Sequence, residues 1–410
     1  LHFAKYILNQ NQPNYPLAER LSWISESETI AMAKLGRTLK AEGKDVISLS
    51  FGEPDFFTPD HIKQAAIDAI HQNFTFYTPV AGIPDLKEAI VQKFQRENQL
   101  TYQTDQIVVS TGAKNAIMNT VLSLVNPGDE VIIPRPFWVS YADMVQFAQG
   151  VPIYIDTTVE SDYKITAEQL EKAISPKTKL FMFSSPNNPS GMIYSYDELK
   201  ALAEVFERHP EIFIISDEIY EHINFEGKHH SIAGFGSLIN RTITVNGVSK
   251  AFSMTGWRIG YIGAPKAIAF ACEKLQSQFT SGTNAIAQKA AIAALNGDLT
   301  PTYQMRDAFK KRRDICYERL KAIPGIKLSL PPGAFYLFPD ISAYFGKQYQ
   351  GHVIRNSQDL CMFLLNQVYL VTVSGSAFGN DNCIRLSYAT SEENLIKAMD
   401  RMKEGLSLLS

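Results

Sequence analysis

Cysteine is scarce in this chain: Cys272, Cys316, Cys361 and Cys383 are the four in 410 residues. None forms a Cys-x-x-Cys pair or stands at metal-site spacing from a histidine. A disulfide framework and a cysteine-built metal centre are thereby excluded, and the thiols read as reduced, in a cytoplasmic protein. Neither sign of charge is in excess, with 39 basic against 42 acidic residues and a net charge of -3. A chain without a basic surplus is a poor partner for nucleic acid or an anionic membrane. No apolar run reaches the roughly 20 residues of a membrane span. Residues 1–16 carry Lys5 and only a short Tyr6-Ile7-Leu8 patch, too polar for a secretory apolar segment, and read as an N-terminal extension. Repeats of about 20–50 residues are also missing, which excludes solenoids and propellers.

What the chain does have is apolar content, 45% of residues, enough for a large core and two lobes. Runs rich in Val, Ile and Phe predict buried strands at Gln106–Ser110, Glu130–Pro134, Val151–Ile155, Leu180–Ser184, Ile212–Ser216, Thr242–Val245 and Ile259–Gly263. Helical patterns alternate with them at Ala113–Leu124, Tyr141–Ala148, Ala167–Ala173 and Ser195–Arg208. This alternation predicts an α/β layer with a mostly parallel sheet. After Leu299 the pattern changes to a long charged helix over Thr302–Leu320, short strands at Gly333–Phe338, Tyr369–Val373 and Cys383–Ser387, and a last helix from Ser391. The expected division is residues 1–16 as extension, 17–60 packing with a small α+β domain, 61–300 as the large domain and 301–410 as the small one.

Ligands of such sheets sit beyond the carboxyl ends of the strands, and the unusual residues fall there. Lys250 lies among small residues in Gly247-Val-Ser-Lys-Ala-Phe-Ser-Met-Thr-Gly-Trp-Arg-Ile-Gly260, where an aldehyde can reach its amine. Ser249 beside it and Arg258 beyond supply a hydroxyl and a guanidinium fork for one phosphate. Gly112, Ala113 and Lys114 stand between a strand and a helix, where free backbone N–H groups favour the same anion. Asp217 ends an apolar strand, costly unless it caps a helix or faces a cation such as a protonated pyridine. Tyr220 and Trp138 read either as core aromatics or as neighbours of such a ring. Asn188, held by Pro189 in a turn, can donate its amide hydrogen to a phenolate or a carboxylate. Arg385 alternates within an apolar strand and suits a substrate carboxylate, unless it faces water from an edge.

Together these motifs resemble the class I aminotransferases of the fold-type I pyridoxal-phosphate superfamily, and within them the bacterial aspartate aminotransferase branch. The resemblance runs from about Leu17 to the C-terminus. It is carried by Gly52-Glu53-Pro54-Asp55, Tyr77 with Ala81-Gly82-Ile83-Pro84, Ser185–Gly191, Ser216–Tyr220, the lysine segment and Arg385–Thr390. It implies a large domain with a mostly parallel seven-stranded sheet and a smaller α+β domain. It also implies pyridoxal 5'-phosphate as cofactor and an amino acid and a 2-oxo acid as substrates. By the same resemblance Lys250 is the Schiff-base lysine and proton carrier, Asp217 holds the ring nitrogen, and Tyr220 and Asn188 hold the phenolic oxygen. Gly112, Ala113, Lys114, Ser249 and Arg258 take the phosphate, Trp138 stacks on the ring, Arg385 binds the α-carboxylate and Gly52 lies over the substrate. The match of Tyr77 implies a homodimer in which this tyrosine reaches the neighbouring subunit's phosphate.

For the substrate, Leu275 to Ala291 holds no arginine of the kind that grips the distal carboxylate in one branch of such enzymes. Lys114 matches the lysine associated with that carboxylate in the other, so transfer from L-aspartate to 2-oxoglutarate is expected. Some relatives also aminate prephenate and carry a basic residue shortly before Ser-x-Thr. Here Ser25 precedes Ser27-Glu28-Thr29, a departure that speaks against prephenate. The alternatives are a different or broader donor range, including alanine, aromatic amino acids and prephenate, a C–S lyase on the same scaffold, and a non-catalytic regulator module.

Overall fold

The computed structural model describes residues 16–26 and 28–410. The extension expected over residues 1–16 therefore lies outside the described residues except for Pro16, as does Ser27. Seven strands form one sheet: β1 (Ile107–Ser110), β2 (Glu130–Pro134), β3 (Val151–Ile155), β4 (Thr178–Ser184), β5 (Phe213–Asp217), β6 (Thr242–Gly247) and β7 (Gly260–Gly263). All seven are the predicted ones, with ends shifted by at most two residues. Their spatial order is β1-β7-β6-β5-β4-β2-β3. Strands β2 to β6 run parallel, while β7 is antiparallel to both neighbours. Every residue of β1, β6 and β7 is buried, because helices cover both faces and an unbroken apolar run is then favoured over alternation. The edge strand β3 is the exception, with Val151 44% exposed.

The helices start where their caps are. Ser195 accepts a hydrogen bond from the Glu198 N–H at 3.2 Å, and the Glu198 carboxylate accepts one from the Ser195 N–H at 2.7 Å. This reciprocal cap opens the helix Tyr196–Arg208, which buries Leu199, Leu202, Ala203, Val205 and Phe206 against the sheet. The helix Ala113–Leu124 follows β1 directly, with Gly112 in between at φ 86°.

Beyond the long helix Thr300–Lys321, three short strands form an antiparallel sheet: β8 (Tyr336–Leu337), β9 (Val373–Ser374) and β10 (Ile384–Ser387), in the order β9-β10-β8. Two predicted strands differ from what is observed. Gly333–Phe338 shortens to β8 because the Gly333 and Ala334 N–H groups bond to Gly191 and Ile223 carbonyls instead of to a ladder. Tyr369–Val373 splits, since Leu370–Val371 pairs in parallel with Ile47–Ser48 whereas β9 pairs with β10. One buried cluster joins Met32, Ile47 and Leu49 to Phe309, Phe335, Leu364 and Leu395, and it also takes in Ile219, Tyr220 and Ile223 from the segment after β5.

The topology gathers the chemistry at one edge. Strands β1, β4, β5 and β6 all end there, and β7, running the other way, begins there. Arg258, two residues before β7, therefore meets Gly112, two residues after β1. Gly260 makes that meeting possible, since a Cβ on it would stand 2.1 Å from the Ala113 nitrogen and 2.4 Å from the Gly112 carbonyl carbon. Gly260→Ala is expected to destabilise the fold by about 1–3 kcal/mol, seen as a lower Tm in thermal unfolding. An unchanged Tm would mean that this contact yields without cost.

Candidate active site

Asp217 closes β5 with its carboxylate buried. Tyr141 donates a hydrogen bond to it at 2.7 Å and the Ile219 N–H another at 3.3 Å. Burial nevertheless raises its pKa to about 6, against those two hydrogen bonds, and Lys250 is the least of the influences opposing the rise. Among the described residues it forms no ion pair. A buried carboxylate in that position has room for a cation.

Lys250 follows β6 on the same edge. Its Nζ donates to the Gly52 carbonyl at 2.5 Å and lies 5.8 Å from the centre of the Tyr220 ring. Burial is the main force pushing its pKa down to about 8, helped by Arg258 and Arg385 and opposed by Glu53 and Asp217. An amine with that pKa is partly neutral near pH 7–8, as a nucleophile must be.

Gly112 and Ala113 open the helix Ala113–Leu124, and the Arg258 guanidinium packs against them. A Cβ at Gly112 would lie 2.2 Å from Arg258 Nη2, at a φ that side chains rarely adopt, so the position admits only glycine. Arg258 Nη1 donates to the Thr255 carbonyl at 2.8 Å, which aims the fork across the helix N-terminus. Ser249 is buried beside it. N–H groups of the first helical turn, a hydroxyl and a guanidinium thus line one anion cup, while the Gly112 N–H itself donates to the Ser110 carbonyl at 2.7 Å. The Lys114 ammonium sits 4.8 Å from the centre of the Trp138 ring. Its pKa is lowered by burial and by Arg258, with Asp143 opposing.

Arg385 reaches the edge from β10. Its Nη1 donates to Asn188 Oδ1 at 3.1 Å and its Nη2 to the Ser50 carbonyl at 2.7 Å. The guanidinium lies 4.7 and 4.9 Å from the centres of the Tyr336 and Phe378 rings. It is 2% exposed, its Nε has no partner, and no carboxylate pairs with it among the described residues. A buried arginine left in this state is built to meet an anion.

One cavity of about 360 Å³ is lined by Gly52, Ala113, Lys114, Trp138, Asn188, Asp217, Tyr220, Ser249, Lys250, Arg258 and Arg385. Of the residues named from sequence, only Gly112 and Tyr77 do not line it. Gly112 lies directly behind Arg258, whereas Tyr77 stands apart with its side chain 100% exposed, next to Phe76 at 81%. The sequence reasoning missed Tyr141, which holds Asp217, and Tyr336, whose hydroxyl is 2.8 Å from that of Tyr220. Tyr141 lies in the first turn of the helix Ser140–Phe147, and nothing in its apolar surroundings sets it apart from a core tyrosine. Thr29 and Ile30 also line the cavity, from the helix Glu28–Ala41, and carried no sequence signal beyond the Ser-x-Thr.

The family model described as aminotransferase class I and II matches residues 44–402. The chain belongs to the class I and II aminotransferases. It is 47% identical over 400 residues to the aspartate/prephenate aminotransferase of Nitrosomonas europaea, covering 95% of this chain and 100% of that one. Among solved structures it is similar to the aspartate aminotransferase from Rhizobium meliloti, with a TM-score of 0.94 at 44% identity over 97% of this chain and 100% of that one. The aspartate aminotransferase from Thermus thermophilus with maleate gives 0.90 at 39% identity over 95% and 100%. The fold is thus that of the aspartate aminotransferases, as the sequence resemblance implied, and the chain is an aminotransferase.

In this aminotransferase the isolated carboxylate has a measurable signature. Folding raises the Asp217 pKa, so its contribution to the stability of the cofactor-free enzyme should fall as pH rises from about 4 to about 6. Asp217→Asn should remove that slope and stabilise the cofactor-free chain at pH 7 by on the order of 1–3 kcal/mol. Thermal unfolding of both proteins across this pH range provides the check, and a lower Tm for the variant at pH 7 would contradict an uncompensated carboxylate.

Proposed function

We propose that this enzyme transfers the amino group of L-aspartate to 2-oxoglutarate, giving oxaloacetate and L-glutamate, with pyridoxal 5'-phosphate as cofactor. The observation that carries the reading is the meeting of Lys250, Asp217, the Arg258 cup and Arg385 in one cavity. The residues fit the cofactor on three counts: the glycine-lined cup at Arg258, the carboxylate of Asp217 without a cation, and the unpartnered Nε of Arg385. When bound, pyridoxal phosphate supplies an aldehyde that exchanges amines and a protonated ring that withdraws electrons from the substrate α-carbon.

The chain's own residues then have separable tasks. Gly112, Ala113, Lys114, Ser249 and Arg258 hold the phosphate. Asp217, oriented by Tyr141, keeps the ring nitrogen protonated, and that new cation offsets the cost of its own burial. Tyr220 and the Asn188 amide face the phenolic oxygen, while Trp138 covers the ring. Arg385 forks onto the α-carboxylate and fixes the α-carbon near Lys250, with Gly52 closing over it. The Lys250 Nζ, held by burial near a pKa of about 8, takes the proton from the α-carbon and can give it back. The 2-oxo acid product leaves before 2-oxoglutarate enters, so one site serves both halves of a ping-pong reaction.

Lys114 is assigned to the distal carboxylate of aspartate as well as to the phosphate. A second acceptor, prephenate, is supported by the printed name of the Nitrosomonas europaea relative and opposed by Ser25 in place of a basic residue. The same reading places the catalytic unit in a homodimer in which the exposed Tyr77 reaches the partner's cup. It keeps the division at about residues 60 and 300. Four cysteines, all free and buried, support a cytoplasmic setting, and no described helix is long and apolar enough to cross a membrane.

A panel of amino donors against 2-oxoglutarate and prephenate tests the assignment, with aspartate expected to lead; release of pyruvate and ammonia without any acceptor would refute it. Lys250→Ala should cut turnover by roughly 10⁴-fold or more, since nucleophile and base are one group. Lys114→Ala should impair aspartate at least about tenfold more than alanine, measured as kcat/KM. Equal losses for the two donors would remove Lys114 from the distal carboxylate.

A further inference from the structure

Tyr336 touches three arms of the cavity and has no task in the reading above. It lies in β8, in the C-terminal region, and is 0% exposed. Its hydroxyl is 2.8 Å from that of Tyr220, which follows β5 of the large sheet. A Cβ on Gly52 would come within 3.1 Å of the same hydroxyl, and the Gly52 carbonyl is the acceptor for Lys250. The ring itself packs on Arg385, its centre 4.7 Å from the guanidinium. Ring and hydroxyl therefore act on different partners.

Either hydroxyl can donate across this contact, and the task proposed for Tyr220 selects between the two directions. Each phenol has one hydrogen to give, and the contact between the two consumes one. If Tyr220 gave its hydrogen to Tyr336, none would remain for a group in the cavity. Among the described residues neither hydroxyl has another hydrogen-bond partner, so donation from Tyr336 satisfies Tyr336 and leaves the Tyr220 hydrogen free for the cavity. A hydrogen bond received at the Tyr220 oxygen also polarises its O–H and makes it a stronger donor. We propose that Tyr336 is a positioning residue of this aminotransferase: its hydroxyl donates to Tyr220 and turns the Tyr220 hydrogen toward the cofactor's phenolic oxygen, while its ring holds Arg385 for the substrate α-carboxylate. The inference rests on the proposed function and deepens it, adding a residue that serves both cofactor and substrate.

Two holoenzyme variants separate the tasks. Tyr336→Phe keeps the ring and removes the hydroxyl. Weaker donation from Tyr220 leaves more charge on the phenolic oxygen, which holds the adjacent ionisable proton more tightly. The pH midpoint of the bound cofactor's visible absorption should therefore rise by about 0.5–1 unit. Turnover should fall about three- to tenfold, with the KM for aspartate within about twofold of the parent. Tyr336→Leu removes the ring too and should raise that KM about tenfold or more. In a Tyr220→Phe background, Tyr336→Phe should give no further midpoint shift, because the hydroxyl acts through Tyr220. An unmoved midpoint in Tyr336→Phe, an equal shift in both backgrounds, or the same KM for the Phe and Leu variants overturns the proposal. The midpoint test rests on the Phe variant, whose ring still fills the core, and thermal unfolding confirms that it is folded. Failure of the underlying function would look different: the parent enzyme with pyridoxal phosphate would show no titrating visible band at all.

Discussion

Desolvated charge at one edge of a parallel sheet is the constraint on which the rest of this molecule depends. Asp217, Lys250 and Arg385 are each held where water cannot fully solvate them, and each departs in the direction that burial dictates, the acid upward and the two bases downward. None is neutralised by an ion pair among the described residues. The fold carries that cost because the seven-stranded sheet and its covering helices bury three large apolar clusters. The unspent electrostatic attraction is what a charged ligand can claim.

The second feature is the stitching between the large sheet and the C-terminal region. Tyr220 follows β5 in the chain, yet its ring packs with Phe335 and Tyr336 in the cluster built by the C-terminal helices. Arg385 belongs to β10, yet its hydrogen bonds run to Asn188, after β4, and to Ser50. The cavity is a joint property of both regions, and neither one alone would orient the guanidinium or the phenol. In the proposed reaction this matters because α-carbon and ring must meet with defined geometry.

Much of this was legible in the chain itself. The seven strands stood out because both faces of a parallel sheet are buried, which leaves an unbroken apolar run with turn residues at its ends. Gly112 and Arg258 stood out because an anion cup, here proposed for the cofactor phosphate, needs small residues and a fork at a helix start. Tyr141 and Tyr336 could not, since a buried tyrosine in an apolar stretch looks the same whether its hydroxyl holds a catalytic carboxylate or a backbone carbonyl. The short strands of the C-terminal region blurred for a similar reason. Two- to four-residue ladders depend on which carbonyl lies opposite, and Gly333 and Ala334 found theirs on Gly191 and Ile223.

By itself the sequence determined the element order, the apolar runs, the residue types at the strand ends, and the family to which they belong, because these are local or are carried by motif spacing. The tertiary structure alone decided that Arg385, some 135 residues after Lys250 in the chain, shares its cavity, that β7 runs backward so that Arg258 meets Gly112, and that Tyr336 bridges Tyr220 and Arg385. It also left Tyr77 out of the cavity of its own chain. Those outcomes turn on long-range packing and on the direction of single hydrogen bonds, which no local pattern of residues encodes.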